Sequence, residues 1–134
     1  MEQQRSHTFS KAERLCSKKL IERLFGGEGK SFPAFPLRVV YMPLSEEEVA
    51  ADVSILVSVP KKRFKRAVKR NRVKRQVREA YRRNKHILTE ALAAQEGAPR
   101  MALAFIWLDG KLHPSVEVEQ KVKKLLHHIA EDHR

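Results

Sequence analysis

The residues with the most chemistry to offer lie between Lys61 and Lys85, in KKRFKRAVKRNRVKRQVREAYRRNK. This segment holds 14 of the 28 lysines and arginines and a single acid, Glu79, which gives it a formal charge of +13. The net charge of the whole 134-residue chain is +12, so the remainder is close to neutral. A field this local suits a polyanion. An ordinary solvated helix mixes acids with bases so that they pair four residues apart, whereas this one repels itself without a partner. Arginine dominates its outer face, and the planar guanidinium grips phosphate oxygens in pairs. The pattern favours nucleic acid over a merely solvated face.

Protein-borne catalysis finds little support. There is no nucleophile elbow, and the acids cluster in the Glu46–Glu48 run with no sign of a paired acid and base. His127 and His128 are adjacent and diverge on a helix, while His128 and His133 miss the i, i+4 spacing that brings two metal ligands together. Gly29-Lys30-Ser31 echoes the end of a phosphate-binding loop, but Leu24 stands where that loop needs a glycine. Cys16 is the only cysteine, which excludes an intrachain disulfide and fits a reducing compartment. The amino terminus lacks the apolar core of a signal peptide, and no apolar run approaches the roughly 20 residues of a membrane span. These features predict a cytoplasmic protein without a membrane partner.

The elements that must position the basic segment follow from periodicity. Residues 1–10 are polar and read as loose. Ser17 caps a short helix whose Leu20, Ile21, Leu24 and Phe25 recur at helical spacing until Gly26 and Gly27. Leu37–Met42 is a strand ended by Pro43, with Leu37, Val39 and Tyr41 on one face. Val53, Ile55, Val57 and Val59 alternate in a second strand, for which a hairpin-like return to the first is plausible. The basic segment starts as a loop over residues 61–66 and becomes helical near Ala67. Val73, Val77, Ala80 and Tyr81 then face inward, and Asn71, Lys74, Arg75, Arg78 and Arg82 face outward. A helical continuation is expected over His86–Ala94. Met101–Leu108 is apolar on both faces, as in a buried central strand, and belongs beside Val53–Val59. A last helix after Ser115 puts Val118, Val122, Leu125, Leu126 and Ile129 on the sheet. The whole chain, 1–134, reads as one α+β domain.

Composition does not separate RNA from DNA. A helix-turn-helix reader needs three helices where this chain alternates helices with strands, yet duplex DNA on one basic helix stays open. An anionic membrane fits less well, since the inner face of the helix offers no bulky apolar wedge.

Ala67-Val68-Lys69-Arg70-Asn71-Arg72-Val73-Lys74-Arg75, followed by Arg78 and Tyr81, resembles the signature of the bacterial ribonuclease P protein component. Ser58-Val59-Pro60-Lys61-Lys62 matches the strand end and lysine pair of the same family, and the order of elements agrees from Leu15 to about Ile129. The resemblance implies an α-β-β-β-α-β-α sandwich with a four-stranded sheet, a first strand near Lys30–Phe32 and a left-handed β-α-β crossover through the basic helix. General chain statistics favour the opposite hand.

The resemblance further implies a subunit that assists removal of the 5′ leader from precursor tRNA, with catalysis and Mg²⁺ belonging to the RNA subunit and no cofactor bound by the protein alone. The protein is expected to be monomeric within the holoenzyme. Its implied RNA-facing set is Lys61, Lys62, Arg70, Asn71, Arg72, Lys74, Arg75 and Arg78. Phe25, Val39 and Tyr41 are expected to line a leader cleft between the first helix and the sheet, although core packing suits Phe25 equally. Two departures stand out: Ile21 occupies a second aromatic position of the family, and the loop Arg63-Phe64-Lys65-Arg66 is one residue longer and lacks the usual glycine. The alternative is a generic RNA-binding or ribosome-associated protein with no role in cleavage.

Overall fold

The computed structural model describes residues 9–49 and 51–132. The expectations for residues 1–8 and for His133 lie outside these.

Four extended segments build one mixed sheet: β1 (Lys30–Ala34), β2 (Leu37–Leu44), β3 (Val53–Ser58) and β4 (Arg100–Trp107). Its order is β1-β2-β4-β3. The strand that is apolar on both faces sits inside, with β4 antiparallel to β2 and parallel to β3. This corrects the expected hairpin: β2 does not return onto β3, because β4 pairs with both and separates them. The antiparallel hairpin is instead β1–β2, and β1 runs two residues beyond the expected Phe32.

Directly paired residues share a sheet face. One face carries Phe32, Leu37, Val39, Tyr41, Val53, Ile55, Val57, Leu103, Phe105 and Trp107. Against it pack α2 (Ala67–Asn84), α3 (His86–Ala93) and α4 (Ser115–Asp132), through Val73, Val77, Tyr81, Leu88, Val122, Leu125, Leu126 and Ile129. Each of these eight helical side chains is fully buried, and each contributes roughly 1.5–3 kcal/mol of transfer free energy. The other face carries Val40, Met42, Leu44, Ala102 and Ala104, covered by Leu20 and Leu24 of the first helix.

That helix, α1 (Lys18–Arg23), starts where the Ser17 hydroxyl accepts from the Leu20 N–H at 3.3 Å, and it widens into a π-helical turn over Leu24–Glu28. Gly27 then takes φ 102°, and Gly29 meets β2. A Cβ on Gly29 falls 2.6 Å from Val40 Cγ1 and 2.9 Å from the Leu24 carbonyl oxygen. Because one neighbour is backbone, the clash cannot relax by a rotamer change. Gly29→Ala is therefore expected to cost about 1–3 kcal/mol in urea unfolding.

Phe9 and Ser10 are not loose. Ser10 and Glu13 form a reciprocal cap on a 3₁₀ turn over Lys11–Glu13, and the following residues run beside β3, where the Leu15 N–H donates to the Ile55 carbonyl at 2.8 Å. Glu13 also holds Lys85 at 2.9 Å where both side chains are largely buried, fastening this segment to the junction of α2 and α3.

In the β4–α4 connection, the two ring nitrogens of His113 face Asp109 at 2.7 Å and Glu117 at 3.0 Å. Only the doubly protonated ring donates to both carboxylates, and the bond to Asp109, followed by that to Glu117, raises the His113 pKa above its ordinary 6.5. The stabilisation this gives is present in full below about 6.5 and is lost as pH rises through the raised value. The melting-temperature gap between the wild type and His113→Asn should accordingly shrink as pH rises above about 6.5.

Candidate nucleic-acid interface

The amphipathic pattern of α2 divides it cleanly. Val73, Val77, Ala80 and Tyr81 are buried in the core, while Asn71, Arg72, Arg75 and Arg78 are exposed and Lys74 is half-buried. The cations of its last turn are engaged: Arg82 with Glu79, Arg83 with Glu119 at 3.5 Å, and the adjoining Lys85 with Glu13. Arg72, Lys74, Arg75 and Arg78 make no ion pair among the described residues. Acids thus neutralise one end of the helix and leave the earlier turns with uncompensated charge. No acid lies in the first turn, where the helix dipole already favours an anion.

Arg70 has a part in the loop itself. It is half-buried, and its Nη1 donates to the carbonyls of Phe64 and Lys65, both at 2.8 Å. The longer loop before α2 gains its path from this contact and from Phe64, which plugs the core at 5% exposure in place of the missing glycine turn. Lys61 and Lys62 stand exposed at the start of that loop, in a turn closed by the Arg63 N–H to the Pro60 carbonyl at 3.0 Å.

The second feature is a groove beside α1. Strand register places Arg38, Ile106 and Ser58 in one row across β2, β4 and β3, next to the row of Val40, Ala104 and Leu56, all on the face that α1 covers. α1 buries only part of this face. Leu56, Ser58 and Ile106 remain half-buried and Arg38 is exposed, its Nε donating to Ser31 Oγ at 2.6 Å. The half-buried Ile21 packs against this face, and Phe25, one turn further along, is 48% exposed. The Ser58 end of the floor runs directly into Lys61 and Lys62.

Two expected cleft residues are not there. Val39 and Tyr41 lie on the opposite face of the sheet, at 0% and 2% exposure, beneath α4. The Tyr41 hydroxyl donates to Asp132 Oδ2 at 3.0 Å, and burial with this contact pushes its pKa up to about 12. An aromatic ring held in this way offers no face to a passing base. Of the expected set, only Phe25, on the helical side of that face, remains exposed. Arg38, Leu56, Ser58 and Ile106 were missed, although a lone arginine inside an apolar strand was a visible sign.

Known proteins share the sequence and the fold over most of the chain. The family model described as Ribonuclease P matches residues 9–130. A ribonuclease P protein component of Porphyromonas gingivalis is 52% identical over 121 residues, covering 90% of this chain and 85% of the relative. That of Chlorobaculum tepidum is 38% identical over 111 residues, covering 80% of this chain and 71% of the relative. Among solved structures, the RNase P protein of Thermotoga maritima superposes with a TM-score of 0.63 at 24% identity, over 87% of this chain and 96% of that one. The RNase P protein of Staphylococcus aureus gives 0.67 at 20% identity, over 92% and 100%. These two show that the fold is shared.

Proposed function

This chain belongs to the ribonuclease P protein family, and from that premise we propose that it is the cytoplasmic protein subunit of a ribonucleoprotein that removes the 5′ leader from precursor tRNA. The observation that carries the reading is the pairing of an uncompensated cationic face on α2 with an apolar-floored groove that leads to the same loop. Each half suits a different RNA. Arg72, Lys74, Arg75 and Arg78, with Asn71, hold the catalytic RNA by its phosphates, which positions it without reading its sequence. Lys61 and Lys62 lie where the two surfaces meet.

The groove takes the single-stranded leader. Unpaired bases lie on Phe25 and against Leu56 and Ile106, a surface tolerant of sequence because every base has an apolar face. Arg38, steadied by Ser31, faces the leader backbone. The chain itself supplies position and charge. Phosphodiester hydrolysis and its Mg²⁺ belong to the RNA subunit, whose phosphate repulsion the cationic face of α2 relieves.

The leader assignment is tested in the reconstituted holoenzyme by comparing affinity for precursor tRNA with that for the same tRNA lacking its leader. The leader should tighten binding by about tenfold or more. Equal affinities would contradict the groove as a leader site.

A further inference from the structure

Arg75 and Arg78 have a second neighbour beyond the outer face of α2. With Asn71, Glu79 and Arg82 they form one side of an open cleft of about 510 Å³, and Phe9 and Arg14 form the other. The volume lies within the range of sites for small ligands, about 300–1,000 Å³. The Phe9 ring meets the buried Tyr81 ring edge-on, with centroids 6.1 Å apart, and the Arg14 guanidinium lies over Phe9 at 5.6 Å from its centroid. Arg14 is exposed, so the outer face of its planar group is open.

This wall is preorganised. The Arg14 backbone bridges to Ile55, the Ser54 hydroxyl donates to the Ala12 carbonyl at 3.3 Å, and Glu13 is anchored by Lys85. A platform of arginine over phenylalanine, opposite two arginines that make no ion pair among the described residues, matches the two halves of a nucleotide. The base lies on the plane, and its phosphates face the cations. Arg82 occupies the Glu79 carboxylate, so the phosphates belong toward Arg75 and Arg78. A base within an A-form helix is stacked on its neighbours and cannot enter such a cleft.

We infer that the cleft between Phe9–Arg14 and α2 is a subsite for one unpaired nucleotide, bulged from or adjoining a helix of the bound RNA. The inference rests on the reading of α2 as an RNA-binding face and adds to it a preference for a structural feature of the RNA.

The test uses the full chain and two RNAs of equal helical length, a blunt duplex and the same duplex carrying one bulged 2-aminopurine nucleotide. The wild type should bind the bulged RNA about tenfold more tightly, with 2-aminopurine fluorescence changing on binding. Arg14→Lys keeps the charge and removes the plane, and Phe9→Leu keeps the apolar contact with Tyr81 and removes the ring. Both should bring the two affinities within about twofold while leaving the salt dependence of duplex binding unchanged. Equal binding of both RNAs by the wild type, or a preference that survives both substitutions, overturns the subsite. Stimulation of a ribonuclease P RNA by the wild type reports separately on the family function, so loss of the bulge preference with stimulation retained removes this inference alone.

Discussion

Changing Arg72, Arg75 and Arg78 together to glutamine is expected to weaken binding of a ribonuclease P RNA by about two to four orders of magnitude at moderate salt. The estimate follows from three charge-assisted contacts of about 1–2 kcal/mol each. The same change should lower the slope of log K against log salt by about two to three, because each neutralised phosphate releases close to one counterion. All three side chains are exposed and without ion-pair partners among the described residues, so folding should be unaffected. Circular dichroism and the melting temperature verify this in the same samples. An unchanged slope would show that α2 does not meet phosphates.

Phe25→Ala should reduce the leader-dependent gain in precursor affinity by about fivefold or more, the equivalent of about 1 kcal/mol or more for one base on an aromatic ring. Assembly with the catalytic RNA should persist, because Phe25 lies on α1 and the cationic face on α2. Tyr41→Phe is the contrasting variant. It removes the hydroxyl that donates to Asp132 and leaves the leader gain intact, since the ring lies on the far face of the sheet. The measured quantity is the ratio of dissociation constants with and without leader. A loss with Tyr41→Phe comparable to that with Phe25→Ala would contradict the placement of the groove.

The different fate of these two aromatics shows where the sequence was informative. Helical periodicity fixed the two faces of α2, because burial of Val73, Val77 and Tyr81 at 3.6-residue spacing leaves no other rotation. The doubly apolar Met101–Trp107 run fixed a central strand, since only a strand covered on both sides hides both its faces. Alternation in β2 grouped Leu37, Val39 and Tyr41 correctly but said nothing about which helix covers them. A strand has two faces, and both of these are apolar for much of their length. The choice depends on long-range packing, in which α2, α3 and α4 together claim the larger face.

Of the two neighbours of β4, β3 was expected and β2 was not. Strand order depends on which edges meet after the crossover, and the apolar alternation of β3 suits either β2 or β4 as a neighbour. Arg70 illustrates a third limit. Within a run of cations, residue type does not separate the arginine that satisfies loop carbonyls from those left for a partner. That distinction appears only once Phe64 is buried and the carbonyls around it need donors.

The most direct test of the account is cleavage of a 5′-extended precursor tRNA by a ribonuclease P RNA at low Mg²⁺, with and without this protein. Phosphate repulsion within the RNA is then poorly screened, and a cationic subunit has its largest effect. The account predicts that adding the protein restores cleavage at the mature 5′ end and that the gain falls as Mg²⁺ is raised. Tight RNA binding with no gain in cleavage at any Mg²⁺ concentration would contradict it.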